Sequence, residues 1–299
     1  MQHKSLVTII CLCYNQEKYV VKSLFSAIHQ DYPFIEVIVV DDFSTDNSKE
    51  VIQKWLIDYP EIQFIANETN LGSTKSFNKA LKLAKGEYII DLACDDILLP
   101  KCVSLQLKAF EVSLFKNLGV VYGNAKLINE KGDFYFYYFP VDSHKKTIEK
   151  RATGDIYLSV ITGGNSICSV SSMVKKSVFD ALNGYDENLA YEDLDLWIRA
   201  SRVYDFDYID EVLIKKRIST TSFGTHFFIK NDARSKKINY STYLIIQKAI
   251  RLNQSKIEHR AILKRMHFEM ILAFKTRDYK LLLKYLSLEV QQRVRIIFG

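Results

Sequence analysis

The first hundred residues alternate between two hydrophobic rhythms. Leu6–Leu12 is a short, nearly unbroken apolar run, as expected of a strand covered on both faces, and Glu36–Val40, Ile62–Ala66 and Tyr88–Leu92 repeat it. Between these runs, Glu17–Gln30, a stretch ending at Trp55 and Leu56, and Ser73–Ala84 place apolar residues at i, i+3 and i+4, the helical period. Asn15 is positioned to cap the first helix and Asp46 or Asn47 the second, while Gly86 suits a left-handed end to the third. Pro100 opens a fourth at a place where a missing N–H does no harm. Strands separated by helices imply parallel crossovers, and hence a doubly wound α/β sheet.

After about residue 118 the rhythm changes. Val120–Asn124, Lys126–Asn129 and Phe134–Phe139 read as strands, the last two joined by a turn. Phe134–Phe139 is an unbroken aromatic run, either a packed strand or a platform for stacking a sugar ring. A polar stretch over 142–153 follows, then a strand pattern over Ser166–Val174, a turn at Asn183-Gly184 and a helix from Glu192 to Arg202. From residue 226 only helical spacing remains, in three amphipathic stretches with Lys and Arg between the apolar positions.

Composition narrows the class. Of 299 residues 48% are hydrophobic and 25% charged, and Gly and Pro number only 11 and 4, which excludes collagenous and low-complexity chains. The net charge of +6 is unevenly spread: residues 226–299 hold 16 Lys/Arg against 5 Asp/Glu, so the body before them is acidic. A basic tail on an acidic body points to an anionic partner for the tail or to a solvated helical face. Nucleic acid is disfavoured, because no accompanying motif is present. The five cysteines form no metal-binding spacing and read as reduced thiols. With no leader pattern and no apolar run near the roughly 18–20 residues that span a bilayer, the expected location is the cytoplasm, or peripherally the inner face of the cell membrane.

The candidate chemistry lies in acidic residues. Asp41-Asp42 and Asp95-Asp96 fall just past the ends of two predicted strands, the sheet edge at which open α/β folds bind ligands. Buried unpaired carboxylates destabilise a core, so two adjacent ones at that edge suggest a hard cation and a phosphorylated substrate. Each pair also has a local explanation as a turn or cap residue. A third acidic pair, Glu192-Asp193, opens a predicted helix, where carboxylates are favourable in any case.

Taken together these segments resemble the family 2 glycosyltransferases, which have the GT-A nucleotide-sugar-binding fold. The resemblance is carried by Tyr14-Asn15 after the first strand and by Asp41-Asp42-Phe43-Ser44-Thr45-Asp46, with Phe43 where Gly is commoner. It continues through the block ending in Asp95-Asp96 and through the block containing Tyr191-Glu192-Asp193, and covers about residues 5–217. It implies inverting transfer of a sugar, expected to be carried on UDP, to a glycan or lipid-linked hydroxyl in bacterial surface polysaccharide synthesis. On this resemblance residues 1–220 form the catalytic domain, with a nucleotide-binding half to about 100 and an acceptor half beyond it. Residues 221–299 form a basic helical extension.

The implied roles are specific. Asp193 is the catalytic base. Leu12, Tyr14, Asn15, Glu17, Asp42, Lys75, Asn78 and Asp95 bind the donor, with Asp42 accepting from the nucleotide base. Asp96, with a share from Asp95, holds Mg²⁺ or Mn²⁺, although Ala93 replaces the first acidic member of the usual motif. Gly164, Glu192 and Trp197 face the acceptor, and His226 is a further candidate phosphate contact. Besides donor and acceptor, an anionic membrane surface at the basic helices or a homo-oligomer are the expected partners. Two other readings stand beside this one: a catalytically weak nucleotide-sugar-binding subunit, and a nucleotidyltransferase. The latter ordinarily needs a Gly-rich loop after the first strand, and residues 11–19 contain no Gly.

Overall fold

The computed structural model describes residues 5–163, 167–219 and 223–298. Strand β1 (Val7–Cys13) is buried along its length except at Leu12, as a parallel strand between two helix layers must be. It pairs in parallel with β2 (Ile35–Asp41) and β4 (Tyr88–Ala93), and β2 pairs with β3 (Gln63–Ala66). The sheet runs β3-β2-β1-β4-β8-β6-β9-β5, where β5 is Ile97–Leu98, β6 Leu118–Ile128, β8 Met173–Lys175 and β9 Asp205–Arg217. Strand β8 is antiparallel to both neighbours, β6 and β9 are parallel, and β7 (Phe134–Tyr137) folds back onto the end of β6.

The helices are α1 (Val20–Ile28), α2 (Ser48–Trp55), α3 (Ser73–Leu81), α4 (Cys102–Val112), α5 (Tyr157–Thr162), α6 (Lys176–Leu182), α7 (Asp193–Ser201), α8 (Ala233–Leu252), α9 (Lys256–Lys275) and α10 (Tyr279–Phe298). The chain divides into two compact units. The first, Met1–Gly154 with Ile167–Glu187 and Tyr204–Ile218, contains the whole sheet; the second comprises Asp155–Ser166, Asn188–Val203 and Ser219–Gly299.

Several local expectations need correction. Asn15 does not cap α1, whose N-cap is Tyr19; instead Asn15 adopts φ 54° and its Oδ1 accepts from Thr45 N at 2.7 Å. Gly86 does not end α3, which stops at Leu81. It is required for another reason: a Cβ there would lie 2.5 Å from Thr8 N and 2.9 Å from Leu6 O, so only Gly lets the chain enter β4 against β1. The two strands expected over 120–129 are one, with register shifts on either side of Asn124. There the buried Asn124 amide donates to Phe139 O and accepts from Phe139 N, filling the ladder positions the bulge leaves open. Of the strand expected over 166–174, Ser166 lies outside the described residues and the rest shrinks to β8, preceded by a 3₁₀ turn at Ser169–Ser171.

The second unit packs α5 and α7 with the C-terminal helices. Asp195 of α7 is sealed from solvent between Lys248 of α8 and Arg199, each at 2.7 Å. Arg202 lies 3.8 Å over the Tyr157 ring and pairs with Glu258 at 2.8 Å, while Ser255 and Glu258 close a reciprocal capping box at the start of α9. Leaving either partner of such buried pairs alone would destabilise far more than an exposed pair would.

Candidate functional site

In the first unit the C-terminal ends of β1, β2 and β4 lie side by side, with Leu12, Val40 and Ala93 in register on adjacent strands. Two loops leave this edge and are stitched together. Asn15 N donates to Ser44 Oγ, Gln16 N to Ser48 Oγ and Glu17 N to Asp46 Oδ2, while Glu17 Oε2 accepts from both Asn47 N and Asn47 Nδ2. Phe43 completes the turn at φ 62°, a left-handed conformation that strains any residue with a Cβ by roughly 1–2 kcal/mol.

The two aspartates of this turn have different surroundings. Asp42 is 6% exposed and its carboxylate already accepts four hydrogen bonds. Asn67 Nδ2, Leu71 N and Ser76 Oγ donate to Oδ1 at 2.9, 2.8 and 2.9 Å, and Gly72 N donates to Oδ2 at 2.8 Å. This ties the loop before α3 to the end of β2 and sets a negative charge at the start of a helix that has no capping side chain of its own. Asp41 Oδ2 accepts from Ser44 N at 3.1 Å, but its Oδ1 is buried without a partner among the described residues.

The second acidic turn follows β4. Asp96 is 3% exposed and its Oδ1 accepts from Arg217 N at 2.7 Å; Asp95 is less buried, and the Gln16 amide favours its charged form. Burial, with the Asp95 charge next to it, pushes the Asp96 carboxyl up to about 8. Burial also raises Asp95, opposed by Arg217 and Lys216. Arg217 spans the surrounding backbone: its Nε donates to Asp95 O at 3.0 Å, its Nη1 to Asn129 O and Glu130 O at 2.8 and 3.1 Å, and its guanidinium stacks 4.1 Å above Tyr19. Arg217 and Gln16 were not singled out from sequence. Arg217 comes from β9, far along the chain, and no local pattern reveals such a clamp.

These residues suit a divalent cation. Two carboxylates held together disfavour their joint ionisation, which a cation relieves, and Gln16 Oε1 is a further buried oxygen without a partner among the described residues. Among the described residues no group of three His, Cys, Asp or Glu side chains forms a closed metal cage, so the remaining ligands would be substrate and water oxygens.

Other expected donor residues fare differently. Tyr14 and Lys75 are exposed near this edge and Leu12 is partly so. Asn78 is buried and committed elsewhere: Nδ2 donates to Tyr185 O and Glu187 Oε1, and Oδ1 accepts from Tyr185 N. Gly184 makes this possible, since at φ 70° a Cβ would stand 2.4 Å from Asn78 Oδ1. Asp91, two residues before Ala93 on β4, accepts from Tyr185 Oη at 3.0 Å, and burial pushes its carboxyl up to about 7. On β7, a register shift leaves Phe134, Tyr135 and Phe136 all exposed, so the aromatic run is not a packed strand at this end.

In the second unit Asp193 is the first residue of α7, partly exposed, with Oδ1 accepting from Leu194 N at 2.7 Å; Glu192 is the N-cap. Trp197 is 6% exposed and belongs to the core of this unit, so it offers no open floor for an acceptor. Gly164 lies outside the described residues. His226 Nε2 contacts Arg234 Nη1 at 3.2 Å.

Acidic turns gathered where parallel strands end place this protein with the GT-A nucleotide-sugar transferases in fold. Over 96% of the chain it matches TarS of Staphylococcus aureus, solved as residues 1–349 with UDP-GlcNAc, at a TM-score of 0.70 and 18% identity, covering 81% of that chain. It also matches the mannosyltransferase PcManGT of Pyrobaculum calidifontis, solved with GDP-Man and Mn²⁺, at a TM-score of 0.56 and 16% identity, covering 99% of this chain and 86% of that one. The chain belongs to glycosyl transferase family 2, whose profile matches residues 8–179. It is 35% identical over 221 residues to an uncharacterized glycosyltransferase of Methanocaldococcus jannaschii, 72% of this chain and 71% of that one. To the chondroitin synthase of Escherichia coli it is 27% identical over 270 residues, 85% of this chain but only 37% of that relative. The protein is thus a glycosyltransferase, EC 2.4.

Proposed function

We propose that this glycosyltransferase moves a sugar, with inversion, from a UDP-sugar to a hydroxyl of a glycan or lipid-linked acceptor in the synthesis of a bacterial surface polysaccharide. The observation that carries the reading is the Asp95-Asp96 turn at the ligand edge of the sheet, one carboxylate buried and one partly exposed, with the Gln16 side chain interacting with Asp95. Asp95, the more exposed member, and Asp96 behind it would hold Mg²⁺ or Mn²⁺, which when bound neutralises charge on the departing diphosphate. Arg217 keeps this turn in place through its contacts to Asp95 O and Asp96 Oδ1.

Because Asp42 is saturated, the hydrogen bond from the nucleotide base falls to Asp41 Oδ1, with Tyr14 exposed nearby for stacking. Asp42 then acts by positioning the loop at 67–72. Asp193 accepts the proton of the acceptor hydroxyl as that oxygen bonds to the anomeric carbon and the bond to the diphosphate breaks. Exposed Phe134, Tyr135 and Phe136 give the acceptor glycan rings to stack on. The relatives supporting the donor and polymer assignments are TarS, solved with UDP-GlcNAc, and chondroitin synthase.

The test is release of nucleoside diphosphate from a panel of nucleotide-sugars, with Mn²⁺, with Mg²⁺ and after chelation. Asp193→Asn should bind donor normally and lose turnover by about 10²–10⁴-fold. Undiminished turnover in that variant would remove Asp193 as the base.

A further inference from the structure

The hairpin of α9 and α10 carries more apolar surface than its own core uses. On α10, Leu281, Tyr285 and Leu288 are buried together with Gln292, which accounts for one face. A second stripe faces outward: Tyr279, Leu283, Leu286, Val290, Val294 and Ile297 recur at helical spacing and are all exposed, Val290 at 62%. It runs the length of a helix about 30 Å long. A helix that packs against one core needs one stripe, and an exposed contiguous apolar patch marks an interaction surface.

Helix α9 extends the patch. Phe268, Ile271 and Phe274 are exposed, and the Phe274 and Tyr279 rings meet edge to face with centroids 6.3 Å apart. Glu289 of α10 reaches across to His267 of α9 at 2.9 Å and pairs along its own helix with Arg293 at 2.6 Å. His267 adjoins Phe268, and Arg293 lies three residues after Val290, so both apolar rows border this contact.

The charge around this face is net positive. Exposed Arg260, Lys264 and Lys275 share the outer face of α9 with Phe268 and Ile271, and exposed Lys280 flanks the stripe of α10, where Arg293 is already paired with Glu289. The acidic residues of the two helices are otherwise engaged. Glu258 pairs with Arg202, Glu269 is buried against Arg265, Asp278 accepts from Leu281 N, and Glu289 is held by His267 and Arg293. A second copy laid on this face would set cations against cations. An anionic lipid surface would satisfy the apolar rows and the basic flanks together, as amphipathic helices lying in a membrane interface do.

We propose that the outer face of the α9–α10 hairpin docks in the plane of an anionic membrane, with the stripe from Tyr279 to Ile297 inserted among the lipids. The geometry stands independently of the donor and base assignments; only its purpose, bringing the enzyme to a lipid-linked acceptor, rests on them. The test is co-sedimentation of the full chain with vesicles of phosphatidylcholine alone and of phosphatidylcholine with one quarter phosphatidylglycerol. Binding to the anionic vesicles should be at least about tenfold tighter, since each basic residue near such a surface adds to the attraction.

A neutral triple variant, Leu283→Gln with Val290→Gln and Ile297→Gln, should lose at least tenfold of that binding. Its melting temperature should be kept, and so should its turnover on a water-soluble acceptor. Equal vesicle binding by the variant, or wild-type self-association that the variant abolishes without any vesicle binding, would overturn the proposal. Vesicle binding by a protein that turns over no nucleotide-sugar would leave it standing and sink the catalytic reading instead.

Discussion

Replacing Asp42 with Asn separates a positioning role from direct nucleotide recognition. The substitution keeps shape and removes charge. Its carbonyl can keep the three donors now at Oδ1, but its NH₂ then faces the Gly72 N–H, which donates to Oδ2 at 2.8 Å. Hydrogen bonds to a charged acceptor contribute about 1.5–3 kcal/mol each, and four sharing one carboxylate do not add. The loss of charge, one donor facing a donor and the weakened charge at the start of α3 together cost about 3 kcal/mol. For a domain of this size that lowers the melting temperature by roughly 6–12 °C. Thermal and urea melts of the purified variant measure this directly, with donor binding measured in parallel below the transition. Asp41→Asn is the counterpart: among the described residues Oδ1 has no partner, so it should leave the melt nearly unchanged and weaken donor binding. An Asp42→Asn protein that melts within about 2 °C of wild type yet no longer binds donor would refute the positioning argument.

Arg217→Met should destabilise by about 3–5 kcal/mol, because three backbone carbonyls lose a buried charged donor; unchanged melting would show that the clamp is idle. Arg217→Lys should not rescue it, since one ammonium cannot span those positions. Asp91 sets a pH dependence: its folded value of about 7 lies above the unfolded carboxylate value, so its contribution is full below about 4 and is lost as pH rises through 7. Urea melts from pH 5 to 8 should therefore show wild type losing about 2–3 kcal/mol relative to Asp91→Asn, and parallel curves would contradict the assignment. Phe134→Ala with Tyr135→Ala should raise KM for acceptor about tenfold with kcat and melting kept, because both rings are exposed. An unchanged KM would remove the aromatic platform.

The parallel half of the sheet was legible because each strand there is buried on both faces and its residues announce it, as at Leu6–Leu12. The acidic turns were legible as residues, since a carboxylate after an apolar strand has few other uses. What each carboxylate does was not legible. The donors that saturate Asp42 come from 67–76, and Arg217, which braces Asp95 and Asp96, lies on β9. Asn78 and Trp197 looked available because spacing places a side chain on a helix but does not say what covers it. The same limit hid the outer stripe of α10, where two apolar faces share one period and only packing shows which is buried.

The central claim is that the Asp95-Asp96 turn ties donor binding to a divalent cation. It is tested most directly by thermal shift of wild type and Asp95→Asn with nucleoside diphosphates and nucleotide-sugars, each with and without Mn²⁺. Wild type should be stabilised by one nucleotide far more with Mn²⁺ than without, by about 2.7 kcal/mol at a hundredfold excess over Kd, and Asp95→Asn should lose that increment. Equal stabilisation with and without the metal, or an increment undiminished in Asp95→Asn, would contradict it.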